Sequence, residues 1–83
     1  MPSPTENLAR NVLALRQSRA WTQEELAGRV GISARYIGKI ERRQASATVE
    51  IVGRLARAFG VEASDLLNAK TGRSQTSRAM RRI

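Results

Sequence analysis

Arg35, Lys39 and Arg42 follow one another at spacings of four and three residues. On an α-helix, which turns by about 100° per residue, they share an arc of about 60°. Such a stripe carries hydrogen-bond donors and positive charge but no acceptor, so its chemistry is the recognition of anions and of acceptor edges rather than proton transfer. Side chains for other chemistry are missing. The 83 residues include neither His nor Cys, which excludes Ser-His-Asp and Cys-His catalysis, His or Cys metal sites and disulfides. The chain also lacks a P-loop or a dinucleotide-binding glycine pattern. No catalytic residue, metal or cofactor is expected, and the composition argues against an enzyme.

Charge is clustered as well as plentiful. Fifteen Lys and Arg stand against 7 Asp and Glu, a formal +8. Up to Asn68 there are 10 basic and 7 acidic residues; beyond it there are 5 basic residues and no acidic one. Between Arg29 and Arg43, five cations face the single Glu41. Clustered positive charge attracts polyanions, which makes nucleic acid the leading partner and an anionic membrane surface the second. A membrane-surface helix would set Trp, Phe or Leu beside its basic face, whereas the single Trp21 and single Phe59 lie far from the basic C-terminal stretch. No apolar run approaches the roughly 20 residues of a membrane span. The Met1 to Asn7 stretch lacks the basic start and apolar block of a secretory signal, which points to the cytoplasm. A hydrophobic share of 41% suffices for one small globular core.

The elements that must position the cationic stripe read as helices throughout, an all-α chain. Ser3-Pro4-Thr5-Glu6 forms a capping box with Pro at the first helical position, with Thr5 as a rival cap. Helix one follows, with Leu8, Val12 and Leu15 as its stripe, to about Gln17 or Ser18. Thr22 to Glu25 is a second capping box, with Trp21 placed to staple onto Leu26. Leu26, Ala27 and Val30 face inward until Gly31 ends that helix. Ser33 caps a third helix running to about Arg42, whose buried stripe is Ile37 and Ile40. Glu41 falls at its apolar edge and calls for a cationic partner. Thr48 caps a fourth helix with Val49, Val52, Leu55, Ala56 and Phe59 on its apolar face, Gly60 stops it, and Glu62 to Asn68 forms a last short turn. Ala69 to Ile83 is rich in Ser, Thr and Arg and reads as a basic tail, disordered when free.

Two short helices joined by a tight glycine turn, the second bearing cations outward, are the sequence form of a helix-turn-helix. Thr22-Gln23-Glu24-Glu25-Leu26-Ala27, Val30-Gly31-Ile32-Ser33, Tyr36-Ile37 and Ile40-Glu41-Arg42 together resemble the Cro and phage-repressor (XRE-type) family of small bacterial DNA-binding regulators. The resemblance continues through Arg54 to Val61 and Leu66-Leu67, covering about residues 5–68. It implies a five-helix, lambda-repressor-like domain over residues 1–68 whose third helix, about 33–42, enters the major groove of double-stranded DNA. By position, Ser33, Ala34, Arg35 and Lys39 would meet bases, and Gln23 and Arg42 phosphates. A guanidinium matches O6 and N7 of guanine, which makes Arg35 the main reader. The hydroxyl of Tyr36 either reaches a phosphate or leaves its ring to cover the core edge. The same resemblance pairs Arg16 with Glu41. Two departures stand out. Arg43 replaces the usual Gly, a left-handed position costing about 1 kcal/mol unless helix three runs on or the side chain gains a phosphate. Ala47 replaces the usual Pro.

One recognition helix touches few base pairs, so a homodimer on a palindromic operator is expected. Its interface is read from helices four and five as Ile51, Leu55, Ala58, Leu66 and Leu67, the alternative being that all five belong to the protomer's own core. Residues 69–83 read either as a basic arm along the DNA backbone or as a solubilising extension. Two other functions stay open: the antitoxin of a toxin-antitoxin pair, holding a protein partner through the tail, and a nonspecific nucleic-acid coat.

Overall fold

The computed structural model describes residues 3–69, as five helices: α1 Pro4–Ser18, α2 Gln23–Val30, α3 Ala34–Glu41, α4 Val49–Phe59 and α5 Ala63–Leu67. No strand occurs among the described residues. Residues 70–83, nearly all of the basic tail, lie outside them.

Each of the first four helices begins where a hydroxyl can accept an amide that the helix leaves unpaired. Ser3, Thr22, Ser33 and Thr48 accept from Glu6, Glu25, Tyr36 and Ile51 respectively. Glu6 and Glu25 return the bond to the cap backbone, completing both expected capping boxes, and Ser3 rather than Thr5 is the first cap. The first four helices end on one device, a residue with left-handed backbone. Gly31 (φ 84°) and Gly60 (φ 72°) adopt it as glycines, while Ala20 (φ 57°) and Arg43 (φ 63°) adopt it with a Cβ. At Arg43 the cost accompanies a full Schellman pattern: the Arg43 amide bonds the Ile40 carbonyl at 3.1 Å and the Gln44 amide bonds that of Lys39 at 2.8 Å. Helix α3 therefore stops at Glu41 instead of running on.

All five helices contribute to one core: Leu8, Val12 and Leu15 from α1, Leu26, Ala27 and Val30 from α2, Ile37 and Ile40 from α3, Val52, Leu55, Ala56 and Phe59 from α4, and Leu66 from α5. The periodicity that assigned Val49 to the apolar face fails at the helix start: Val49 is 91% exposed, whereas Val52 one turn on is buried. Helix α5 is too short to hold by its own hydrogen bonds, and two buried asparagines of α1 anchor its end. Nδ2 of Asn11 donates to the carbonyls of Asp65, Leu66 and Asn68 at 3.3, 2.8 and 2.7 Å, and Nδ2 of Asn7 donates to that of Leu67 at 3.0 Å. These carbonyls lie at and just beyond the C-terminus of α5, where a helix lacks amides of its own to satisfy every acceptor, and that of Asp65 also accepts from the Asn68 amide.

Trp21 does structural work of a kind its spacing did not foretell. Its ring stacks on Phe59 with centroids 5.8 Å apart, and the Arg29 guanidinium lies 4.2 Å above its centroid. Arg19 reaches the same aromatic pair and donates to the Phe59 carbonyl at 2.6 Å, capping the last turn of α4.

Candidate nucleic-acid interface

Helix α3 is amphipathic by construction. Ile37 and Ile40 are buried in the core, and Arg35 on the opposite side is exposed, with Lys39 partly covered. Neither cation has a side-chain partner among the described residues. Ser33 sits at the N-cap with its Oγ accepting from the Tyr36 amide at 3.1 Å, which leaves its hydroxyl proton to donate outward. Ala34 is half-buried and packs against the core, so only part of its methyl is open to a base.

What holds this helix in place is an ion pair at its last turn. The Glu41 side chain is 5% exposed and that of Arg16, reaching from α1, 14%. Nε and Nη2 of Arg16 donate to the two carboxylate oxygens at 2.7 and 3.1 Å, the bidentate geometry that makes such a pair strong and directional. Nη1 of the same guanidinium donates to the Trp21 carbonyl at 2.8 Å, and Nε2 of Gln23, the first residue of α2, donates to Oε1 of Glu41 at 3.0 Å. One buried carboxylate thus ties α1, the α1–α2 turn, the start of α2 and the end of α3 together. The partner that the position of Glu41 demanded is Arg16.

The residues expected at phosphates are all engaged at least once. Gln23 spends one amide proton on Glu41 and keeps the other. Nε of Arg42 donates to Oε1 of Gln44 at 3.1 Å, leaving its terminal nitrogens. Arg43 faces Glu6 at 3.7 Å in an exposed pair that contributes little. The ring of Tyr36 packs on the core, and its hydroxyl donates to the Ser46 carbonyl at 3.1 Å. In the free chain its single proton is used within the α3–α4 loop, the arrangement of the core-edge alternative.

The five residues expected at a dimer interface do not form one surface. Leu55 and Leu66 are fully buried in the protomer core, which corrects their assignment: the stripe that suggested an interface is internal packing. Ile51 and Ala58 are half-buried on one flank of α4, while Leu67 is 41% exposed and lines a shallow groove with Val49, Pro4 and Leu8 on the other.

Sequence reading missed Arg19 and Arg29, which serve Trp21 and Phe59, and also Asn7 and Asn11. Among the described residues no cluster of acidic side chains suits a metal ion, and no helix is long and apolar enough to cross a membrane.

A family model described as helix-turn-helix matches residues 12–66. The chain is similar to a hypothetical transcription factor of Neisseria meningitidis, 35% identical over 60 residues, 72% of this chain and 57% of that protein. It is also similar to the transcriptional regulator SutR of Escherichia coli, 36% identical over 67 residues, 76% of this chain and 38% of that protein. The chain thus spans about half of one curated relative and less of the other. The crystal structure of a hypothetical transcription factor from Neisseria superposes with a TM-score of 0.79 and 29% identity, over 93% of this chain and 90% of that one.

Proposed function

This chain belongs to the helix-turn-helix family, and from that premise we propose that it is a sequence-specific regulator of transcription that binds double-stranded DNA as a homodimer on a palindromic operator. Residues 33–42 lie in the major groove. Arg35 reads guanine through two parallel N–H donors, Lys39 is a second and less directional reader, and Ser33 and the open edge of Ala34 complete the base contacts. Gln23 and Arg42 position the domain on phosphates, and Arg43 adds charge beside them. The observation that carries this reading is the contrast on α3: its C-terminal turn is fixed by a buried ion pair, while the side chains of Arg35 and Lys39 have no partner among the described residues.

With Leu55 and Leu66 internal, a second copy has Leu67 and its exposed neighbour Val49 on one flank of α4 and Ile51 and Ala58 on the other. A two-fold dimer sets two copies of α3 about one DNA turn apart. Selection of bound duplexes from a random pool tests the proposal. It is expected to enrich a palindrome with guanine in each half-site; a pool that stays random would leave a nonspecific coat as the function.

A further inference from the structure

We propose that Gly38 is a positioning residue for DNA binding: the notch left by its missing side chain seats the Arg42 guanidinium beside the Gln23 amide, so that the two grip one phosphate together. The proposal rests on the DNA-binding reading above and adds to it the device that couples the two phosphate contacts.

Gly38 lies mid-helix in α3, where glycine costs stability relative to alanine and where its negative φ makes no demand for glycine. Its reason must therefore be spatial. The position is buried, and the groups covering it are polar rather than apolar. A Cβ built there would lie 3.0 Å from Nη1 of Arg42, 3.6 Å from its Cζ and 3.5 Å from Nε2 of Gln23. The nitrogens of two side chains from two helices thus converge over one bare point of backbone. Both keep protons to give: Arg42 bonds Gln44 through Nε, so its terminal nitrogens remain, and Gln23 spends one amide proton on Glu41. The approach of Gln23 is fixed by that bond, and Glu41 is fixed in turn by Arg16. Beside them the start of α2 directs its unpaired amides outward. Two convergent donors at a helix start suit a tetrahedral phosphate, and the sugar-phosphate chain beside a groove-bound helix supplies one. A methyl at residue 38 meets the far end of a flexible side chain at 3.0 Å, so the guanidinium must give by a few tenths of an ångström, which the fold allows cheaply and which draws it away from the Gln23 amide.

The test is Gly38→Ala in the full chain, measured on the duplex selected above and on a random duplex. The melting temperature is expected to hold or rise. Affinity is expected to fall by about 3- to 10-fold on both duplexes alike, with the salt dependence of log K flattened by about 0.9, the loss of one phosphate contact. In an Arg42→Ala background the same change is expected to do nothing further, because Gly38 acts through Arg42. Unchanged affinity and slope in Gly38→Ala would overturn the proposal, as would an equal loss with Arg42 already removed. Should Gly38→Ala lower the melting temperature, the salt dependence decides: a packing fault alone leaves the slope at the parent's value, whereas a lost phosphate contact flattens it. A wild-type chain that binds no duplex would instead sink the DNA-binding reading itself.

Discussion

Arg16 and Arg35 carry the same guanidinium into opposite surroundings. Arg16 is closed between Glu41 and the Trp21 carbonyl, with three of its nitrogens donating; Arg35, at the other end of α3, points into solvent. The first fixes the angle at which α3 leaves the core and the second exploits that angle. A chain with 15 Lys and Arg cannot be read by counting them, because the partner of each decides its role. Arg19 and Arg29 belong with Arg16, for they hold Trp21 and Phe59 in place.

Breaking the buried side of this comparison should have the largest effect. Glu41→Ala leaves a mostly enclosed Arg16 without its carboxylate and is expected to lower unfolding free energy by about 3 to 5 kcal/mol, measured by urea denaturation. A loss under about 1 kcal/mol would mean that the pair is as weakly coupled as a surface one. The next largest change tests the other buried polar anchor. Asn11→Asp replaces a buried amide donor shared by three carbonyls with acceptors, and about 2 kcal/mol or more should go. Hydrogen exchange would show the loss first in α5.

The helix ends give a smaller effect of opposite sign. Arg43→Gly relieves a left-handed Cβ and is expected to raise stability by about 1 kcal/mol, since the exposed contact with Glu6 returns little. On the outward side, Arg35→Ala should leave the unfolding free energy within about 0.5 kcal/mol of the parent, as surface changes without partners do. A large loss there would mean that Arg35 supports the fold, and the division between the two arginines would collapse.

Most of the architecture was legible because the signals are local. Cap hydroxyls at Ser3, Thr22, Ser33 and Thr48 and glycines at 31 and 60 mark boundaries within a few residues of themselves, and the apolar stripes fall at helical spacing. What stayed hidden depends on distant partners. Asn7 and Asn11 meet carbonyls more than 50 positions away, and a side-chain amide leaves no periodic trace. The stacking of Trp21 on Phe59 joins two elements that no short pattern links. Ala20 shows the limit of residue type as a stop signal: it takes the left-handed position without being glycine, because the Schellman hydrogen bonds at the end of α1 offset the cost. Of the interface residues, the outward stripe of α3 followed from angles alone, whereas the burial of Leu55 and the hydroxyl bond of Tyr36 required the packed chain. Periodicity distinguishes an apolar face from a polar one, and it does not say whether a second chain covers the former.

The most direct measurement is the affinity ratio between the selected duplex and a scrambled one, taken for the parent chain and for the Arg35→Ala, Lys39→Ala double variant. If the exposed cations of α3 read base edges, the ratio falls by about 10- to 100-fold, in line with the discrimination that a bidentate base contact provides, while affinity for the scrambled duplex falls far less. A ratio that survives both substitutions would contradict the assignment of α3 as the reading element.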